Sequence, residues 1–246
     1  MVDNMTKNLD LTKVDSDWRP MLEEALSQVD ADYLKQLKEQ TDWLPGLERM
    51  FAAFQLPLTQ VRYILLGESP YPRVLSANGY AFWDDAVGSL WSDKGLSTAV
   101  NRATSLRNLL KMFFIARGDL STDNTSQEAI AQLNKEGLVQ TGPQLFNRFM
   151  QQGFLLLNAS LVFSEGKVPF HARQWKPFMN CLFSLIHHYN PDIQLVLFGR
   201  IAEAVHTSLP VGLVSEHPYN ISFITNPDVI RFFQPLDLLT YEPINN

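Results

Sequence analysis

The chain has 246 residues, 46% of them hydrophobic, a net charge of −6 and a single cysteine. That length and composition suit one globular domain with a sizeable core, while no stretch is long and apolar enough to span a bilayer and the polar start lacks the apolar middle of a signal peptide. The lone Cys181 excludes an internal disulfide, points to a reducing cytoplasm, and on an apolar helix face reads as a packed core thiol rather than a nucleophile.

Residues 1–17 are polar and are expected to be loose, ahead of a single domain over 18–246. A helical pattern runs from about 20 to 40. Val61 to Leu66, apolar apart from Arg62, predicts a buried strand ended by Gly67. After a loop bearing Pro and Gly, Leu106, Leu109, Leu110, Phe113 and Phe114 recur at helical spacing, with Thr104 or Ser105 as the N-cap. Residues 118–126 read as a polar loop, and Thr125 to Glu128 fits a capping box that opens another helix. Phe154–Leu157 predicts a second buried strand. Trp175, Phe178, Met179, Leu182, Phe183 and Ile186 form one apolar helix stripe, and His187 and His188 close that helix, where they suit its dipole. Ile193–Phe198 predicts a third strand ended by Gly199, followed by a short helix from Ile201 and a fourth strand near Leu213 and Val214. Near-continuous apolar strands alternating with helices imply an α/β fold whose parallel sheet is covered by helices on both faces.

The charge is unevenly spread. Residues 1–50 carry 11 acidic and 6 basic side chains, so the remainder is nearly neutral. Lys94, Arg102, Arg107, Lys111 and Arg117 stand against Asp93 alone over 93–117. Such a cluster either solvates a helix or faces phosphate, and in the second case DNA binding would have a shallow salt dependence. His171 falls in an expected loop near Lys167 and Arg173, where it could also touch phosphate.

Three strings of unlike chemistry sit where strands are expected to end. They are GESPY at 67–71 running on to GYAF at 79–82, GFLLLN at 153–158, and HPYNIS at 217–222. Ligands of open α/β folds bind at the carboxyl ends of the strands, so the three strings are expected to form one site. An aromatic plate, an amide that reads a base edge and an imidazole are the parts needed to hold a flipped-out base and draw electrons from it. The histidines are scattered and no cysteine pair exists, so no metal is expected; no glycine-rich phosphate loop or nucleophile elbow is present.

In these strings, and over roughly residues 45–240, the chain resembles the uracil-DNA glycosylase superfamily, and most closely its family-1 enzymes, which carry GQDPYH, GLAFS, GVLLLN and HPSPLS in the same order. The resemblance implies a three-layer α/β/α fold around a four-stranded parallel sheet, a reaction that needs only water and no cofactor, and DNA containing uracil, single- or double-stranded, as partner. It implies a cytoplasmic monomer with no membrane association.

By the same resemblance Asn158 reads uracil, accepting from N3–H and donating to O4, a pattern cytosine reverses. Phe82 stacks on the base, Tyr71 fills the space a thymine methyl would need, and Gly67 belongs to the same pocket. His217 donates to uracil O2 as negative charge develops there in the transition state. Ile221 is the wedge that enters the duplex, and Ser222, Ser105, Pro218 and Arg107 belong to the DNA-binding surface. The chain departs from the family where its Asp positions the attacking water, because that place is Ser69. The preceding residue is Glu68, which resembles the GEAPG motif of other branches, so Ser69 or Glu68 is expected to hold the water. Losing a positioned general base costs about 10²–10⁴ in rate, which leaves room for a slower enzyme. A glycosylase for a different damaged base and a non-catalytic descendant that binds DNA or a protein are the alternatives. Asp84 and Asp85, which follow Phe82, read as solvated loop residues.

Overall fold

The computed structural model of the chain describes Leu9 and residues 11–243. Four parallel strands, β1 (Tyr63–Gly67), β2 (Phe154–Asn158), β3 (Gln194–Phe198) and β4 (Val211–Ser215), form one sheet in the order β2-β1-β3-β4. β1 lies between β2 and β3, with Tyr63 opposite both Phe154 and Gln194. The helices are α1 (Arg19–Leu26), α2 (Ala31–Glu39), α3 (Thr104–Arg117), α4 (Gly142–Gln151), α5 (Val168–Tyr189) and α6 (Pro227–Phe233), with shorter helical turns between them.

The continuous apolar strands are explained by two cores. Successive side chains of a strand point to opposite faces. Ile64 and Leu66 of β1, Leu155 and Leu157 of β2, and Leu195 and Leu197 of β3 join one core with residues of α1, α2 and α5. Leu65, Leu156, Val196 and Phe198 point the other way, into a core with residues of α3, α4 and α6. The expected three-layer α/β/α architecture is therefore present.

Expected helix boundaries fail where a single capping bond decides. The apolar pattern over 20–40 is two helices, because Asp30 caps α2 by accepting from the Tyr33 N–H at 2.8 Å. The N-cap position of α3 is Ala103, without a side-chain bond, which places Thr104 and Ser105 inside the first turn. Ser126, not Thr125, caps the helix Gln127–Ala131 by accepting from the Ala129 N–H. Of the segment expected to be loose, residues 1–8 and 10 lie outside the described residues. The rest packs: Leu9, Leu11 and Val14 are buried in the core around Trp18, and the Asp15 N–H donates to the Phe54 carbonyl. Three isolated apolar residues have no period to announce them, yet each removes apolar area from water.

His171 is also corrected. It lies in the first turn of α5, buried, within 2.8 Å of the Tyr33 hydroxyl through Nδ1 and 3.1 Å of Ser164 Oγ through Nε2. The Trp175 indole N–H donates to the same Tyr33 hydroxyl. A ring enclosed in this network does not reach phosphate. Among the described residues no helix is long and apolar enough to cross a membrane.

Candidate active site

The carboxyl ends of β1, β2 and β4 carry the three strings to one cleft of about 350 Å³, whose walls include Glu68, Ser69, Tyr71, Phe82, Asn158 and His217. Gly67, Pro70, Pro72, Tyr80 and Ser105 complete its lining. Asn158 is the last residue of β2, directly opposite Gly67 in the sheet register. A Cβ on Gly67 would lie 2.6 Å from Asn158 Oδ1 and 3.0 Å from Ala81 Cβ, so the amide occupies space that only glycine leaves open. Asn158 is 3% exposed, yet among the described residues its side-chain amide has no hydrogen-bond partner. Buried polar groups are ordinarily paired. An amide left open at the wall of a cleft is poised for a ligand's donors and acceptors.

The aromatic wall is held under backbone strain. Phe82 has φ +63°, an unusual conformation for a bulky residue. Its carbonyl accepts from the Tyr71 hydroxyl at 3.1 Å, and its ring meets Phe198 edge-on and lies stacked on His217 with centroids 5.9 Å apart. Burial, with a further contribution from Asp84, pushes the Tyr71 phenol well above its ordinary range, against the opposing pull of Arg73. Tyr71 is therefore a neutral wall whose polar atom is already engaged. Asp84 is not the solvated loop residue that its sequence suggests. It is buried, accepts from the Ala86 N–H, and pairs with Arg73 at 2.9 Å, which pins the loop on which Tyr71 sits. Asp85 is exposed.

His217 follows β4. The Tyr219 backbone N–H donates to its Nδ1 at 3.1 Å, so a neutral ring carries its proton on Nε2. Burial lowers its pKa, and the carboxylate of Glu68 opposes that shift. Gly199, with φ +69°, lies behind the imidazole; a Cβ there would come within 3.0 Å of His217 Cβ. The loop after His217 is fixed by Asn108, a buried α3 residue whose amide donates to the Pro218 carbonyl at 2.7 Å. Sequence reasoning missed Asn108. The available signal was a polar residue between Leu106 and Leu109 on an otherwise apolar helix face.

The other expected contacts surround the cleft. Ile221 is 72% exposed at the start of the helical turn Ile221–Thr225. Pro218 is buried and Ser222 exposed. Burial acts to raise the Glu216 pKa, but hydrogen bonds from Ser222, its own backbone and Asn226 hold it below its ordinary value. Arg107 is half-buried and donates to the Asn101 carbonyl and the Asn108 side-chain oxygen. Arg117 pairs with Asp119 and Asp237. The basic residues of 93–117 thus divide: Arg107 and Arg117 serve the helix ends, Lys111 is half-buried, and Lys94 and Arg102 are exposed.

No protein-family model matches the chain. Curated relatives named uracil-DNA glycosylase include one from Azobacteroides pseudotrichonymphae genomovar. CFP2, 25% identical over 219 residues and covering 84% of each chain. Another, from Pseudomonas paraeruginosa, is 24% identical over 232 residues, covering 89% of this chain and 86% of the relative. The fold is shared with mimivirus uracil-DNA glycosylase at a TM-score of 0.57 and 18% identity, over 86% of this chain and 71% of the other. The crystal structure of wild-type UNG from Nitratifractor salsuginis superposes with a TM-score of 0.91 and is 41% identical, over 98% of both chains. Identity of that order along essentially the whole length, joined to the shared sheet and helices, makes this chain a member of the uracil-DNA glycosylase superfamily.

Proposed function

We propose that the chain hydrolyses the N-glycosidic bond of uracil in DNA, in base-excision repair, leaving free uracil and an abasic site. Water supplies a hydroxyl to C1′ and a proton to the departing base. The observation that carries the reading is the open amide of Asn158, buried and unpartnered at the wall of a cleft that also holds a neutral imidazole. In this reading Asn158 Oδ1 accepts from uracil N3–H and its amide N–H donates to O4; cytosine would leave both unpaired, at a cost of about 1–3 kcal/mol each. Phe82 stacks on the base, and Tyr71 together with Gly67 shapes the floor against a 5-methyl group. His217 donates Nε2–H to O2, a bond that strengthens as charge leaves the sugar.

The water is assigned to the pair that replaces the family's Asp. Ser69 is half-buried in the cleft and its hydroxyl holds the water. Among the described residues Glu68 is the one carboxylate lining the cleft, close enough to His217 to act on its titration, and it takes the proton. Ile221 supplies an exposed apolar wedge, and Ser105, Pro218, Ser222 and Arg107 support the DNA backbone. The cleft is built from one chain, so the reading requires no second copy. With its single cysteine it suits a monomer in a reducing cytoplasm, acting on uracil in single- or double-stranded DNA.

The test is uracil release from a labelled single strand bearing one uracil, read by alkaline cleavage of the abasic site. Release is expected to be lost in Asn158→Ala and His217→Ala, to fall about 10²-fold or more in Glu68→Gln, and to rise in Ser69→Asp. No release by the wild type or by Ser69→Asp, at enzyme in excess over DNA, would sink the reading and favour a binding role.

A further inference from the structure

A second cavity, of about 560 Å³, adjoins the first, and Glu68 lines both. Its floor is apolar, made by Met179 and Phe183 of α5 with Ile201 and Val205. Its rim is cationic. Arg173 and Lys176, three residues apart on α5 and therefore on one face, stand with Arg200, which follows β3. All three are exposed, and among the described residues none has an ion pair or a side-chain hydrogen bond. Arg107 and Arg117, by contrast, are held by neighbours. Glu68 and Glu203 are the carboxylates of the wall, so the three cations outnumber them.

We infer that this cavity holds the uracil-bearing strand beside the flipped nucleotide, one neighbouring base resting on the apolar floor and its phosphates on Arg173, Lys176 and Arg200. The inference rests on the glycosylase reading above. Cations beside an aromatic side chain on which a base can rest are the combination by which proteins hold a single strand without reading its sequence, and Phe183 is the aromatic of this floor. Glu68 stands between the two cavities as a wall of each, so a strand leaving the uracil cleft past that side chain passes over this one. A duplex keeps the neighbouring base stacked in its helix, so the floor favours an unpaired strand.

The experiment is fluorescence anisotropy with labelled single strands carrying 2′-fluoro-deoxyuridine, whose glycosidic bond resists hydrolysis. The modified uridine is placed at the 5′ end in one probe and at the 3′ end in another, so that the strand extends to one side only. Arg173→Ala/Lys176→Ala and Arg200→Ala are compared with wild type and with Arg62→Ala, an exposed cation beside the opposite end of β1. The slope of log Kd on log salt is expected to fall by about 0.7 per cation removed. Binding at low salt should weaken several-fold with one probe, while the other behaves as with Arg62→Ala. Unchanged melting temperatures check that the variants fold. Slopes equal to wild type, losses no larger than for Arg62→Ala, or equal losses on both probes would overturn the inference. Uracil release by the wild type, read alongside, separates the failures: no release counts against the glycosylase reading, whereas release with neutral rim variants counts against this cavity alone.

Discussion

The side chains of the cleft are positioned by neighbours that do no chemistry themselves. Gly67 is the sharpest case, because any β-carbon would strike the Asn158 amide. Gly67→Ala is expected to displace that amide and slow uracil release by about tenfold or more, the cost of one mispaired polar contact, with little change in binding to uracil-free DNA. A rate for Gly67→Ala equal to wild type would show that Asn158 tolerates displacement. Asn158 and His217 were legible because each stands at or just past a strand end in a short string, and Phe82 because its string follows from one. Asn108 and Asp84 were not. Their roles depend on partners far along the chain or buried beneath it, the Pro218 carbonyl for one and Arg73 for the other, and no local pattern encodes them. Ser69, where the resemblance implies a carboxylate, lines the cleft, and among the described residues Glu68 is the one carboxylate beside it there.

Strands were easier to read than helix boundaries. An apolar run ending in glycine, as at Leu66 and Gly67 or at Phe198 and Gly199, marks both the burial and the stop. Helix ends are set by single hydrogen bonds, and sequence offers several candidates for each. Asp30 illustrates the energetics: its carboxylate satisfies the Tyr33 N–H, and Tyr33 in turn anchors the Trp175 and His171 network. Asp30→Ala is expected to cost about 1 kcal/mol, read as a lower urea midpoint with an unchanged slope. A midpoint within error of wild type would mean that packing alone holds α2. α4 went unread because Thr141, its cap, and the apolar residues Leu145, Phe146 and Phe149 follow a loop with no clear end.

Across the molecule, buried histidines tie stability to acid. His171 is enclosed in the core that α1, α2 and α5 share; burial lowers its pKa from 6.5, and the charge of Lys167 lowers it further. The folded protein therefore favours the neutral ring. Its contribution is fully present above the unfolded value of about 6.5 and is lost as pH falls through the lower folded value. His217 acts in the same sense. The urea midpoint is expected to drop between about pH 7.5 and about pH 5, and His171→Gln, though less stable at the higher pH, should show a smaller drop. Equal drops in the two proteins would remove His171 from the account.

The sheet order has a kinetic consequence. β1 is a central strand, yet both of its partners come later in the chain: β2 begins at Phe154 and β3 at Gln194. A ribosome that has released β1 must therefore extend the chain as far as Asn158 before either edge of that strand can pair. During this interval Tyr63–Gly67 is an apolar segment with open backbone groups on both sides, the condition that invites association between nascent chains. Such long-range closure predicts slow refolding for a protein of this size. It also predicts that chains truncated before Gln194 aggregate, because they cannot complete the sheet.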